Sequence, residues 1–282
     1  MSLRSSLRVS VVLPALAALI VFFVVPLIGV VITSFHVESP HGVTNAWTVA
    51  NLGTGLQPYY FDGLIRSIWI SAVVTAIAIA AGFPIAAVYV HARGFSRFGL
   101  TLALFLPLVI SSVVTAYGWI ILLGSNGVIT VALHHLGLLH SAIGLLYTPI
   151  GDIVALEEWV IPFAVLPIAT ALAGIDPDLY HAGASLGARR IRLFYNVTLP
   201  LARGGLVGGG VMAYALSMSS YITPQLVGGG RVRVLPLMIY DQFMTLFNRP
   251  LGSALAVLLM LVVLIPVAAF VRGNVFAGVK TS

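Results

Sequence analysis

Long apolar stretches without Asp, Glu, Lys, Arg or His recur along the chain. Five stand out: Val9–Phe35, Ser67–Val90, Phe98–Leu133, Gly204–Gly230 and Pro250–Val271. A sixth, Trp159–Ile175, reaches spanning length only if Glu157 and Glu158 lie near one end of it. Since roughly 20 apolar helical residues cross a bilayer core, the pattern predicts six transmembrane helices. Their expected bounds are about 11–34, 67–90, 100–123, 153–173, 204–227 and 251–271.

The composition excludes several classes of protein. Of the 282 residues, 60% are apolar and 8% are charged, against about 25% charged in a soluble domain. Such a chain cannot cover a water-facing surface, and it is too apolar to remain disordered. Its net charge of +6 comes from scattered basic residues, which argues against nucleic-acid binding. We therefore expect an all-α integral membrane protein with one transmembrane domain over residues 1–282.

The distribution of basic residues predicts the orientation. Six spans put both termini on one side, and the first apolar run exceeds the roughly 7–15 residues of a signal-peptide core, so we expect it to be retained. With cytoplasmic termini, the inner side carries Arg4, Arg8, Arg93, Arg97, Arg189, Arg190, Arg192, Arg203, Arg272 and Lys280. The outer side carries Arg66, Arg231, Arg233 and Arg249. Ten against four satisfies the positive-inside rule.

Small residues at a spacing of four predict close helix packing, because lipid supplies no hydrophobic drive between helices. Such sets are Ala72 with Ala76 and Ala80, Gly204 with Gly208, Gly205 with Gly209, and Gly252 with Ala256. The alternative, that Gly and Ala are simply common in membrane helices, stays open for each pair. Kinks are expected at Pro84, Pro107, Pro162, Pro167 and Pro266. A Gly- and Asn-containing turn after Leu123 is expected to end the third span.

One inner loop, residues 176–203, is longer than the others. It begins Asp176-Pro177-Asp178, which is typical of a helix start. Apolar or small residues then recur every three or four positions up to Ile191, and arginines follow. The pattern predicts a short helix, a glycine turn and a second helix along the membrane surface.

This loop resembles the EAA loop of ABC importer permeases, whose pattern is Glu-Ala-Ala-x-x-x-Gly-x₉-Ile-x-Leu-Pro. The matching positions are His181, Ala182, Gly183, Gly187, Val197, Leu199 and Pro200, with His181 in place of Glu and Gly183 in place of the second Ala. The resemblance implies that the loop docks in a cleft of a cytoplasmic ATPase subunit, with Arg189 and Arg190 beside the contact. The alternative is a basic amphipathic hairpin on anionic lipid.

A second resemblance narrows the family. The segment Ser219–Gly229 is similar to the Ser/Thr-x-Pro-x-Leu-x-Gly-Gly segment of spermidine/putrescine-type permeases, and Leu235–Tyr240 continues the likeness. This implies a type I importer permease in the bacterial inner membrane, moving a polyamine by alternating access. The implied partners are a second homologous permease, an ATPase dimer that uses ATP and Mg, and an extracytoplasmic solute-binding protein. Aminobutyrate, opine and aminophosphonate are alternative solutes.

Candidate residues for the solute path are polar residues within spans. Tyr214, Ser217, Tyr221 and Gln225 recur at helical spacing, so they predict one polar face; the alternative is that they bond only to neighbouring helices or backbone. Glu157 and Glu158 are ionisable residues beside a span, and either one could attract an ammonium group with cation–π help from Trp159 or Tyr147. The alternative places both acids in the headgroup layer or pairs them with Arg66, Arg231 or Arg233.

The sequence predicts neither a catalytic centre nor a bound cofactor. The spacing of His134, His135 and His140 does not place metal ligands on one helix face. No phosphate-cradling loop and no nucleophile with a base is present, so ATP hydrolysis is expected in a partner subunit. A secondary carrier is the alternative from another class, but it would want acids near mid-membrane and an inverted repeat, which the chain lacks.

Overall fold

The computed structural model describes residues 14, 18–39, 42–137 and 144–279. Arg4, Arg8, His140, Lys280 and the first residues of the predicted span 11–34 lie outside this part. The helices are α1 Ile20–Ser34, α2 Ala50–Gly55, α3 Pro58–His91, α4 Gly94–Val109, α5 Ser112–Leu123, α6 Val128–His135, α7 Pro149–Ala173, α8 Pro177–Ser185, α9 Arg190–Leu193, α10 Leu199–Ser219, α11 Ile222–Leu226, α12 Leu235–Met244 and α13 Arg249–Val279. A π-helical segment, Phe194–Thr198, joins α9 to α10. The strands are β1 His36–Ser39 and β2 Gly42–Trp47.

Within the described residues, four helical segments are long and apolar enough to cross a membrane. They are Pro58–His91, Ser112–His135, Pro149–Ala173 and Arg249–Ala269, while α1 and α4 are shorter apolar helices. The segment Ser112–His135 holds α5 and α6, which meet at a turn over residues 124–127. The helix α10 falls outside this set, because glycines and Arg203 lower its hydropathy. The six spans therefore stay a prediction.

Two predicted spans are broken, so their description as single continuous helices is wrong. The span 100–123 is divided between α4 and α5, where Ile110 and Ser111 are extended with ψ of 138° and 131°. The span 204–227 is divided between α10 and α11, where Ser220 is extended with ψ of 131°. In a continuous helix the ring of Pro224 would clash with the carbonyl of Ser220. After the break, Pro224 is the third residue of α11, where no intrahelical N–H bond is required.

The described residues form two compact units. The first combines residues up to Asp62 with Met238–Leu261, and it contains the antiparallel β1–β2 hairpin, in which Glu38 pairs with Val43. The amide of Asn51 closes the hairpin by donating to the carbonyls of Ser34 and His36, at 3.0 and 2.7 Å. In the same unit, Gln242 Nε2 donates to the hydroxyl of Tyr60 at 3.0 Å.

The second unit, which comprises Gly63–Leu237 and the residues from Val262 onward, is organised around α7 and α10. The backbones of these helices approach closely at two glycines. A Cβ on Gly209 would lie 2.7 Å from the carbonyl oxygen of Ala164, and one on Gly205 would lie 2.6 Å from Cβ of Ala171. Positions that rise along α10 meet positions that fall along α7, so the two helices are antiparallel. Buried aliphatic residues on either side complete this core.

Candidate coupling loop and membrane cavity

The loop after α7 folds as a helix, a glycine turn and a second helix. Asp176 Oδ1 accepts from the backbone N–H of Asp178 at 2.9 Å, which caps α8, and Pro177 occupies its first turn. After α8, Gly187 adopts φ of +78°, a left-handed conformation that glycine tolerates without steric cost. The N–H of Ala188 then donates to the carbonyl of Gly183 at 3.0 Å. The pattern of acids, proline and glycine in the sequence predicts this local structure.

Contacts within the second unit hold the loop in place. Gly183 lies directly against Leu193, and a side chain there would overlap with it. The hydroxyls of Tyr180 and Thr198 are 3.1 Å apart, which ties α8 to the residues just before α10. The ring of Phe194 packs edge-on against Phe83 of α3, with centroids 5.5 Å apart. The loop is therefore connected to two of the long helices.

The exposed surface of this loop is apolar and basic. Leu186 is 89% exposed and Ile191 is 68% exposed. His181, Ala182, Arg189 and Arg190 are also exposed, whereas Leu199 is half-buried and Pro200 is exposed at the start of α10. Large apolar side chains displayed together typically mark an interaction surface. This face therefore has the character of a docking site.

The polar residues predicted for the solute path do not share one helix face. Tyr214 and Ser217 lie on α10, whereas Tyr221 and Gln225 come after the break at Ser220. The buried hydroxyl of Ser217 bonds within its own helix, 2.8 Å from the carbonyl oxygen of Ala213. For Ser217 the structure therefore shows a hydrogen bond to the backbone, which was the predicted alternative to a role in lining the solute path.

These residues also border different cavities. Tyr214 borders an apolar groove between α3 and α10, and Ser217 borders a small cavity beside Leu156. Tyr221 borders a third cavity, and Gln225 is exposed. The prediction of one polar stripe is therefore wrong, because it assumed an unbroken helix.

Two adjoining cavities lie at the helix breaks, and we call them together the aromatic cavity. Their volumes are about 320 and 250 Å³, and both are lined by Ser112, Trp159 and Thr223. The lining includes the aromatic residues Trp119, Trp159, Phe163 and Tyr221, and the hydroxyl-bearing residues Ser112, Thr115, Ser219, Ser220 and Thr223. The breaks between α4 and α5 and between α10 and α11 both border it. This cavity can therefore offer aromatic faces, hydroxyls and backbone groups that are not used within a helix.

The helix α7 also carries three acidic side chains, Asp152, Glu157 and Glu158, and one of them contacts a residue that lines the aromatic cavity. The indole Nε1 of Trp119 donates a hydrogen bond to Glu158 Oε2. Glu157 is buried, and among the described residues neither of its carboxylate oxygens has a hydrogen-bond partner; the same holds for Asp152. The predicted alternative, pairing of the two glutamates with outer arginines, is not seen there. Arg231 instead lies over the ring of Tyr147, 5.7 Å from its centroid, so Tyr147 already has a cation partner.

Sequence patterns identified Trp159 and Tyr221 but missed Trp119, Ser112 and Thr223. In the sequence Trp119 is one aromatic residue within an apolar run, and nothing local sets it apart. Its position becomes informative only because α5, α7 and α11 bring distant residues together.

Comparison with known families decides the class of protein. The sequence profile of the family described as binding-protein-dependent transport system inner membrane component matches residues 103–280. The chain belongs to this family. It is therefore a permease subunit of a type I ABC importer, a multi-pass protein of the bacterial inner membrane that works with a separate ATPase and a solute-binding protein.

Two of the relatives of this permease are named for different solutes, and a third is named for none. The spermidine/putrescine transport system permease protein PotB of Haemophilus influenzae is 28% identical over 227 residues, 80% of this chain and 79% of the relative. The inner membrane ABC transporter permease protein YdcU of Escherichia coli is 32% identical over 225 residues, 75% and 71% of the two chains. The molybdenum transport system permease protein ModB of Mycobacterium bovis is 30% identical over 255 residues, 89% of each chain.

Solved structures share the fold of this permease. A chain of a bacterial alginate ABC transporter, solved in complex with an alginate pentasaccharide-bound periplasmic protein, superposes with a TM-score of 0.71. The superposition covers 95% of this chain and 93% of that chain at 18% identity. At this level of identity the likeness concerns the fold alone.

Proposed function

We propose that this permease imports a small organic cation, a polyamine such as putrescine or spermidine, by alternating access. It has six transmembrane helices with both termini in the cytoplasm and pairs with a second, homologous permease. The distribution of basic residues supports this orientation, since ten of the fourteen Lys and Arg residues lie on the proposed inner side. The similarity to PotB, over 80% of the chain, supports the choice of solute.

The loop over residues 176–203, which we call the coupling loop, is the proposed contact with the ATPase. Its support is the displayed apolar face around Leu186, joined to α3 through the Phe194–Phe83 contact and to α10 directly. Closure of the ATPase dimer can move this loop, and the contact with α3 passes the movement to the membrane helices. His181, where the family pattern has Glu, keeps an exposed polar side chain at the same position.

The aromatic cavity is the proposed solute site, and its chemistry carries the proposal. Ammonium groups bind to indole faces by cation–π attraction, which reaches about 2 kcal/mol where water is excluded. The hydrogen bond from Trp119 to Glu158 places a carboxylate at the edge of the indole ring, and this raises the electron density of the ring so that its face becomes a better partner for a cation. Hydroxyls of Ser112 and Thr223 replace water around the passing solute. Glu158, the acceptor of the Trp119 hydrogen bond, adds negative potential beside the cavity.

The same lining argues against an anionic solute such as molybdate. None of the described residues that line the aromatic cavity is Lys, Arg or His, so an oxyanion would find no opposite charge. Tyr214 and Gln225 border other surfaces and act, in this proposal, elsewhere along the path.

Uptake by the reconstituted transporter tests the proposal. The permease is assembled in proteoliposomes with its partner permease, ATPase and binding protein, and uptake of putrescine, spermidine, aminobutyrate and molybdate is compared. Trp159→Leu should raise the KM for the polyamine by roughly 30-fold, equivalent to the loss of about 2 kcal/mol. Trp69→Leu is the matched control, because Trp69 is 50% exposed and lies outside the aromatic cavity. Transport of molybdate but not polyamines would overturn the proposal.

A further inference from the structure

A separate polar cavity lies within the first unit, between the β1–β2 hairpin and the turn before α13. Its volume is about 500 Å³. We call it the hairpin socket; it is lined by Glu38, Ser39, Gly42 and Val43 of the hairpin and by Leu246, Phe247 and Arg249 of the turn. None of these residues belongs to the coupling loop or to the aromatic cavity.

The socket carries charge that the described residues leave unsatisfied. Glu38 Oε2 is buried and has no hydrogen-bond partner among them. Burial of an unpaired carboxylate oxygen is costly, because the water it loses is not replaced. Arg249, of opposite charge, is exposed on the same cavity. A cationic group entering the socket would supply the missing partner of Glu38.

An apolar rim surrounds these charges. Phe247 is 67% exposed and Leu246 is 63% exposed, while Val43 contributes from the hairpin at 40%. Phe247 adopts φ of +54°, which is rare for a bulky side chain. The turn is held by a hydrogen bond of 2.9 Å from the N–H of Leu246 to the carbonyl of Asp241. Backbone strain that persists in a fixed turn is typical of functional surfaces.

We propose that the hairpin socket is the surface on which the solute-binding protein docks, with a Lys or Arg of that protein on Glu38 and an apolar side chain on the Phe247 rim. This inference rests on the proposed orientation, which places the hairpin and the turn before α13 on the outer side. The occupant follows from three observations. The family is binding-protein-dependent, the alginate transporter of the same fold is seen with a periplasmic protein, and the socket needs a cation.

Site-specific crosslinking tests the location. Because the chain has no cysteine, a single cysteine can be introduced and labelled on the purified permease without background, before the other subunits are added. In one arm, the cysteine of Val43→Cys is labelled with a photoreactive maleimide and the permease is reconstituted into the transporter. The purified solute-binding protein that restores uptake is then added. Leu186→Cys, on the coupling loop, is the second arm. We expect Val43→Cys to crosslink the binding protein, and Leu186→Cys to crosslink the ATPase.

The two cysteine variants distinguish failure of the docking inference from failure of the proposed orientation. If Leu186→Cys captures the ATPase but Val43→Cys captures the second permease, or nothing, the docking inference is overturned while the proposed function stands. If Leu186→Cys captures the binding protein instead, the proposed orientation itself fails.

Charge variants test the chemistry. Glu38→Gln preserves shape and removes the charge, and Asp62→Asn is the matched control at an exposed acid of the same unit outside the socket. For Glu38→Gln, the binding-protein concentration that gives half-maximal uptake should rise at least about tenfold, the effect of losing one charge-assisted hydrogen bond. For Asp62→Asn it should stay within about twofold, because exposed charges contribute little.

Retained crosslinking of the ATPase by Leu186→Cys shows that each charge variant still assembles. Equal responses of the two variants would overturn the role of Glu38. The effect of Glu38→Gln should also persist in raised salt, because the pair is partly buried and weakly screened.

Discussion

The close approach of α7 and α10 predicts that alanine substitutions at neighbouring glycines of α10 have opposite effects on the stability of the protein. Gly205 and Gly209 face α7, whereas a Cβ on Gly204 would have nothing within 4 Å and one on Gly208 would be 3.8 Å from Cβ of Pro167. The four substitutions Gly204→Ala, Gly205→Ala, Gly208→Ala and Gly209→Ala are chemically identical. Any difference between them therefore reports packing rather than helix propensity.

The magnitude follows from the contact distances. At Gly205 the added methyl group would lie 2.5 Å from the carbonyl oxygen of Pro167 and 3.0 Å from Cα of Ile168. Because ordinary contacts between carbon atoms are about 3.5–4.0 Å, the helices must separate by several tenths of an ångström or more. Such overpacking costs about 1–3 kcal/mol of unfolding free energy. At Gly204 and Gly208 alanine instead gains up to about 1 kcal/mol through helix propensity.

Thermal unfolding of the purified transporter, followed by intrinsic tryptophan fluorescence, measures the difference. The two classes should differ by about 1–4 kcal/mol, equivalent to roughly 2–12 °C in Tm at about 2–3 °C per kcal/mol. Adding Ala171→Gly should partly rescue Gly205→Ala, because Cβ of Ala171 is one of the atoms overlapped. Ala164→Gly should not rescue Gly209→Ala, because the overlapped atoms of Ala164 are backbone. Equal Tm values for all four single variants would refute the interface.

Three further predictions concern coupling and solute recognition. Gly187→Ala should cost about 1–2 kcal/mol at its left-handed position and lower solute-stimulated ATP hydrolysis; an unaltered rate would show that the turn is not part of coupling. Leu186→Asp should change Tm little, since the side chain is 89% exposed, but should reduce co-purification of the ATPase, and full recovery of the ATPase would contradict docking there. Trp119→Phe removes the N–H that donates to Glu158 and should raise the KM for putrescine several-fold, whereas an unchanged KM would separate this pair from the solute site.

Much of the local structure could be predicted from the sequence. The start of α8 at Asp176 and Pro177, and the end of α5 at Leu123, follow from residues that act within a few positions. The break at Ser220 was missed although its signal, Pro224, was visible. Apolar periodicity continued through it, and the proline was assigned to the end of a helix rather than to the first turn of the next one.

The candidate solute site was harder to predict because its residues come from separate helices. A polar stripe at helical spacing assumes one continuous helix, so the break moved Tyr221 and Gln225 off the face of Tyr214. Trp119 gained its significance only from its bond to Glu158, 39 positions away in the sequence.

The sequence by itself determined the solvent and the family of this protein. A content of 8% charged residues and long apolar stretches indicate a protein embedded in lipid. The family is indicated by a short motif whose spacing is kept in this chain. Only the tertiary structure decided which of two interleaved glycine pairs faces α7, where the helices break, and which acids remain unpaired. The physical reason is that composition and periodicity act locally, whereas close approach and pairing depend on residues that only the packed helices bring together.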